Sequence, residues 1–394
     1  MSRTGEQPQL YGDRRSELPW RGLGVAILTA TLGLSWGCRF TGHQATVGPA
    51  GLQSSPRLTA DCPDDSELPQ VHLLYAIPSD GPDRELDKNG LIRASVTSAQ
   101  GWLASESGGP RLRFDTCLGD LDVTFVRLPR SNGEYSAFGK FVRDQVEYDL
   151  WLAGFSEPNK LYAAYYSGQL VGCGQGPRPP GLPGNVVVLA PRTPGCDEPF
   201  PATRPPADWE FTLVHEVFHA LGAVSEDAPN HCCTDNSGHV GDHSRDLMFA
   251  PNWDFPSLLD YRKNDYWGHS DVRLVDISKS EFLDPTPAGA KPPPIWPLHR
   301  VTAIPASQEP SLQSPPSSEK VTLQIVNRSG RDLKVYWIDH SGSRDLQRQI
   351  SADSAKELET FGGHLWVVTD DQGTALAIYR APNNGWGRAV HVAP

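Results

Sequence analysis

The segment His215-Glu216-Val217-Phe218-His219 sets two imidazoles and a carboxylate within five residues. On a helix, residues four apart share one face, so His215 and His219 can offer ring nitrogens to a single metal ion while Glu216 stands beside the remaining coordination position. That layout serves hydrolysis: a metal acidifies a water, and a neighbouring carboxylate takes its proton. Trp209, Phe211, Leu213, Val214, Val217, Phe218 and Leu221 make the helix apolar on most sides, which predicts burial. Two histidines and a glutamate inside such a helix need compensating partners, and a bound cation provides one.

A catalytic zinc takes three protein ligands and leaves a fourth position open. After Gly222 the chain offers His231, His239, Asp242 and His243, followed by Asp246-Leu247-Met248-Phe249. As far as Gly222 the motif resembles that of the metzincin peptidases, but Ser225 stands where their third histidine would fall. Met248 is the only methionine after Met1 and sits where this resemblance places a turn beneath the metal. The run from His215 to Ala250 is also similar to a group of secreted bacterial zinc-dependent peptidase-like proteins, in which a His-x-x-Asp unit precedes Asp-x-Met. That similarity implies His239 as third ligand, with His231 as the alternative and Asp242 as an acceptor that orients an imidazole. His243 reads as a solvated loop residue.

Elements upstream must hold this helix. VHLLYAI (71–77) and DVTFVRL (122–128) read as strands, with a helix near 91–105 between them; FGKFVRDQVEYDLWLAG (138–154) reads as a helix, and KLYAAYYSG and NVVVLA as strands. The order suits a zincin, in which a mixed sheet packs against two helices and the second bears the motif. The opening VHLLYAIPSDGPDR resembles the same secreted group, so the similarity spans about residues 62–284. CGQGPRPPGLPG (173–184) lacks the Lys-Ser/Thr of a phosphate loop and reads as a loop able to line a substrate cleft. Tyr261, Tyr266 and His269 read as caps of the domain core.

The net charge of -12 and the lack of any Lys/Arg cluster exclude nucleic acid as the expected partner. Arg14, Arg15 and Arg21 precede an apolar run from Gly22 to Trp36, short for a membrane span of about 20 residues but suited to a signal-peptide core. Gly37-Cys38 then resembles a bacterial lipoprotein signal, which implies a lipidated Cys38, although Trp36 stands where a small residue is usual. Of seven cysteines, six remain for disulfides in an oxidising compartment. Proximity suggests Cys62 with Cys117 and Cys173 with Cys196. Cys232 and Cys233 can pair with each other or with distant partners, and thiolate ligation of zinc is their other reading.

Residues 285–320 are dense in Pro and Ser and read as an extended spacer. From Val321 onward, VTLQIVN, LKVYWID, KELETF, HLWVVTD and TALAIYR alternate as short strands parted by turns, the pattern of a small β-sandwich. Asn327-Arg328-Ser329, Val335-Tyr336-Trp337, Gly342 and Gly363-His364-Leu365-Trp366 resemble the β domain of the von Hippel-Lindau family. That resemblance implies a peptide ligand along one sheet face. Thr360, His364 and Trp366 match its pocket, while Glu359, Phe361 and Gln347 depart from it.

The expected architecture is an α+β zincin-like metalloprotease domain followed by a small all-β sandwich. The divisions are a signal or lipoprotein-type segment at 1–38, a linker at 39–61, the peptidase-like domain at 62–284, the Pro-rich linker at 285–320 and the sandwich at 321–394. The expected function is an exported zinc-dependent endopeptidase, cell-surface or secreted, in which Glu216 activates a zinc-bound water and His215, His219 and His239 hold Zn2+. Its partners are a peptide or protein substrate and a protein ligand of the sandwich, with membrane contact only through the N-terminal anchor or signal. The alternative is a surface-attached binding protein built on a non-cleaving zincin domain.

Overall fold

The computed structural model describes residues 57–179, 181–190, 196, 206, 208–233, 238–249, 258–293 and 298–392. The signal or lipoprotein segment with Cys38, and the linker up to residue 56, lie outside the described residues. Among the described residues no helix is long and apolar enough to cross a membrane.

The first layer is a five-stranded sheet. In chain order its framework is β1 (Gln70–Ile77), α1 (Leu91–Ser107), β2 (Val123–Arg127), α2 (Val142–Leu152), β3 (Lys160–Tyr166), β4 (Gly174–Gln175), β5 (Val186–Leu189) and α3 (Asp208–Ala220). The strand order is β2-β1-β3-β5-β4. The first four run parallel and β4 is the antiparallel edge.

β1, β3 and β5 are buried along their whole length, as expected of a parallel sheet covered on both faces. Side chains alternate between two cores. Val71, Leu73, Tyr75 and Ile77 join α1 and α3 on one face, while Leu74 and Ala76 join Val142, Val146 and Leu150 of α2 on the other. The strand and helix positions read from sequence agree with these elements to within a few residues.

After α3 come a small antiparallel ribbon, β6 (His231–Cys232) with β7 (His239–Val240), and then an all-β region. The latter holds β8 (Leu298–Val301), β9 (Lys320–Arg328), β10 (Leu333–Ile338), β11 (Arg344–Ile350), β12 (Ser354–Phe361), β13 (Leu365–Thr369), β14 (Ala375–Arg380) and β15 (Trp386–Val392). They form two four-stranded sheets, β8-β15-β9-β12 and β11-β10-β13-β14. Leu323, Ile325, Val335, Leu358, Trp366, Val368 and Tyr379 fill the space between them. Asn327 is fully buried and its amide donates to the carbonyls of Arg331, Ile350 and Ser351, which fixes the turn after β9.

The spacer expected over 285–320 takes a different form. Lys291 pairs with Lys279 and Glu281, β8 adds a parallel strand beside β15, and Ile304 exchanges backbone hydrogen bonds with Ile378 of β14. An edge strand joined through its backbone needs little apolar periodicity of its own, so Leu-His-Arg-Val among prolines carries no strand signal.

The sandwich also packs on α2, which is buried on its polar side as well as its apolar one. Arg328 donates to Gln145 Oε1 and Asp149 Oδ1, both at 2.8 Å, and Tyr135 donates to the other Asp149 oxygen at 2.7 Å. Phe138 packs with Val326 and Ala355 at the same junction. Removing one member of a buried ion pair strands the other, at a cost of about 3–5 kcal/mol. Arg328→Met should therefore lower the unfolding free energy of the full chain by about that amount in urea titration. A change within about 0.5 kcal/mol, the level of an ordinary surface substitution, would mean that the junction is solvated.

Candidate metal centre and cleft

α3 carries His215, Glu216 and His219 inward, each nearly inaccessible to solvent. The β6–β7 ribbon brings His239 to them. His239 Nε2 lies 3.2 Å from His215 Nε2 and 3.2 Å from His219 Nε2. Gly238, at φ +87°, lets the ribbon approach: a Cβ there would lie 3.1 Å from Arg178 Cδ and 3.3 Å from His219 Cε1.

The segment around Met248 supports the centre from beneath. His215 Nδ1 donates to Leu247 O at 2.7 Å, which fixes its tautomer and leaves Nε2 as a lone pair aimed at His239. Met248 is wholly buried and its carbonyl accepts the Val240 N–H, tying the turn to β7. The fully buried Asp246 organises this turn by accepting from Met248 N–H, Tyr261 N–H and Tyr266 Oη. Tyr266, expected as a cap of the domain core, thus also ties the core to this turn. The role of Asp246 goes beyond its place in the Asp-x-Met pattern, because its three bonds reach residues distant from that motif as well as Met248 itself.

Three imidazole nitrogens this close cannot satisfy one another, since neutral rings offer one donor each and His215 spends its donor on Leu247. Burial and the neighbouring rings push His215 down to about 3 and His219 well below its ordinary value, so both are neutral. His219 Nδ1 is buried with no hydrogen-bond partner among the described residues. Neutral, converging nitrogens fit a divalent zinc ion.

Glu216 lies beside this cluster. The Gly176 N–H donates to its carboxylate, and a Cβ at Gly174 would come within 2.7 Å of Glu216 Cγ. Burial pushes its carboxyl up to about 8, and the nearby Arg178 charge opposes that rise. A cavity of about 360 Å³ opens here, bounded by Glu216, His219, His239, Arg178, Lys140 and Glu357. Arg178 belongs to the Gly/Pro-rich segment 173–184, expected as a loop able to line a cleft, and that segment lines this cavity.

Other sequence candidates lie elsewhere. His231 is on β6, where its Nε2 accepts from Gly238 N–H at 3.2 Å. Asp242 is not part of the converging group, and its carboxylate oxygens have no hydrogen-bond partner among the described residues. Its expected orienting role is therefore taken by the Leu247 carbonyl. His243 stacks near Tyr261, 4.2 Å between ring centres. Cys62 and Cys117, Cys173 and Cys196, and Cys232 and Cys233 are brought together as disulfides, which removes the two adjacent thiols from metal ligation.

A second group brings together Asp61, His72, Asp115 and Asp122, and two of its carboxylates pair with a cation of the chain itself, Lys160. Lys160 Nζ lies 2.8 Å from Asp115, 2.8 Å from Asp61 and 2.6 Å from Asp64. On the sandwich, His364 stacks on Trp337 with ring centres 5.3 Å apart and lies beside Thr360 Oγ1 at 3.4 Å. Trp366 is directed into the core between the sheets, and Gln347 donates to Asp345 at 2.7 Å.

A family model described as VHL beta domain matches residues 312–378, a stretch that begins inside the segment expected to be a spacer. It covers β9 to β13 and most of β14, so this part of the C-terminal all-β region is similar to the VHL β domain, while β8 and β15 lie outside the match. No curated protein matches the chain.

Proposed function

We propose that the N-terminal α+β region is a zincin-type, zinc-dependent endopeptidase of an exported protein. The observation that carries this reading is the convergence of His215, His219 and His239 with a buried carboxylate, Glu216, at one cavity. The parallel sheet with one antiparallel edge strand, and the turn at Met248 beneath the histidines, support it. The three cysteine pairs are in keeping with an oxidising compartment.

His215, His219 and His239 would hold the ion. Zinc, when bound, polarises a carbonyl and acidifies water. Glu216 accepts a proton from the attacking water as its oxygen adds to the scissile carbonyl carbon, then returns that proton to the amine nitrogen as the C–N bond breaks. Arg178 supplies a fixed positive charge in the same cavity, where negative charge develops on the carbonyl oxygen. Beside the base, edge strand β4 offers a backbone on which an extended peptide can lie. The decisive experiment is metal analysis of the purified protein together with cleavage of a peptide library, comparing the parent with Glu216→Gln.

Glu216 also predicts a proton count. With its carboxyl near 8 in the metal-free protein, it is mostly protonated at pH 7, whereas an adjacent dication favours the carboxylate. Zinc binding at pH 7 should therefore release about one proton from this group. Through Glu216, apparent affinity should rise as pH climbs toward about 8 and level off above. His215 and His219 are already neutral there and contribute nothing to the slope. Calorimetry in buffers of different ionisation enthalpy reads the count, and Glu216→Gln should remove that proton. Equal release from parent and variant would assign it elsewhere.

A further inference from the structure

Glu216 is held by the loop that joins β4 to β5. Where the loop starts, Gly176 donates to the Glu216 carboxylate, and a Cβ on Gly176 would lie 2.7 Å from Glu216 O. In the middle, Arg178 and Leu182 exchange backbone hydrogen bonds of 2.6 and 2.8 Å, which closes a turn and sets Arg178 in the cavity wall. At its end the loop is clamped by α2. Glu147 Oε1 accepts from Asn185 N–H at 2.8 Å and Val186 N–H at 3.3 Å, while Arg143 donates to the carbonyls of Pro183 and Val186, both at 3.3 Å. Gly184 has φ +145°, and a Cβ there would lie 2.6 Å from Arg143 Nη1 and closer still to Glu147 Oε1, so a side chain would displace the clamp.

The clamp itself is completed from the sandwich. Arg388 of β15 donates through Nη1 to Glu147 Oε2 at 2.9 Å, the same oxygen that accepts from Arg143 at 3.3 Å. Arg388 Nη2 lies 3.1 Å from Asp144 Oδ1, and its Nε donates to Gln324 Oε1 at 2.6 Å. Gln324 in turn donates to Asp144 Oδ2 at 2.8 Å. Two buried carboxylates are thus balanced by two guanidiniums, one from each side of the junction. Without Arg388, Arg143 would have to serve both acids, and the geometry that Glu147 offers the 185–186 amides would relax. Glu357 of β12 also lines the cavity, as does Lys140, so the same module forms part of the cleft wall.

We propose that the sandwich is a working part of the cleft, with Arg388 acting through Glu147 as a positioning residue for the loop that holds Glu216. This rests on Glu216 being the base. A module attached only for recruitment would have no need of a charge network running to that loop.

The test uses the full chain with Arg388→Gln, Arg388→Lys and, as control, Arg344→Gln, whose partner Glu309 lies within the all-β region. Backbone hydrogen exchange over 174–186 should quicken by about tenfold or more in Arg388→Gln, fall between in Arg388→Lys and match the parent in Arg344→Gln, with β1 and β3 unchanged throughout. On a cleaved peptide, kcat of Arg388→Gln should drop by about tenfold with KM little altered, because the base is misplaced while binding persists. Parent-like exchange over 174–186 in a folded Arg388→Gln, or an equal change in Arg344→Gln, overturns the proposal. Should Arg388→Gln unfold the sandwich, seen by near-ultraviolet circular dichroism, Arg388→Lys becomes the deciding variant, and parent-like exchange there overturns it. If the parent cleaves no peptide, the peptidase reading fails separately, and the exchange data still decide the coupling.

Discussion

Glu216→Gln should retain zinc at the parental stoichiometry while turnover of library peptides falls by about 10²- to 10⁴-fold, the range of a lost general base. Glutamine preserves the shape of the side chain and keeps an oxygen that can accept the Gly176 N–H, so the loop contact survives the change. What disappears is the group that carries the proton from water to the leaving amine. Arg178 and the three histidines stay in place, so residual activity should reflect polarisation and binding alone. Equal cleavage by parent and variant would remove Glu216 from the chemistry and leave the binding-protein reading as the better one.

The helix and its two histidines were legible because their information is local. A four-residue spacing on an apolar helix specifies both face and burial, and α3 has both. The third histidine was not local. Residue types alone left His231, His239 and Asp242 open, and only a family resemblance favoured His239. The ribbon supplies the physical reason: in its register Val240 faces His231 and His239 faces Cys232, so His231 and His239 occupy opposite faces. A shift of one residue would set both on one face, and the sequence of the ribbon does not determine that register.

The junction between the two regions escaped the sequence for a related reason. Arg143, Asp144, Gln145, Glu147 and Asp149 are polar residues of one helix whose burial depends on partners far along the chain. Arg328 meets Asp149 across 179 residues and Arg388 meets Glu147 across 241. β11 was missed because nearly all its side chains are exposed and none alternates in polarity. β15 contributes a charged residue, Arg388, to a buried position. Polarity predicts exposure only where no complementary charge arrives from elsewhere.

His239→Ala should abolish stoichiometric zinc binding, as should His215→Ala and His219→Ala, whereas His231→Ala should keep nearly all of it. Each of the first three removes a nitrogen from a cluster whose atoms lie within hydrogen-bonding distance, and two imidazoles cannot replace the third without moving α3 or the ribbon. His231 meets the cluster only indirectly, through the Gly238 amide. The effect also has a readout independent of cleavage. Free zinc at about a thousand times the dissociation constant stabilises a one-site protein by about 4 kcal/mol, and that increment should vanish from His239→Ala while persisting in His231→Ala. Near-stoichiometric zinc in His239→Ala would transfer the third position to His231 or Asp242. Loss in both His239→Ala and His231→Ala would point to a collapsed ribbon, which exchange at Val240 would report, since its N–H is bonded to Met248 O at 2.9 Å when the ribbon is intact.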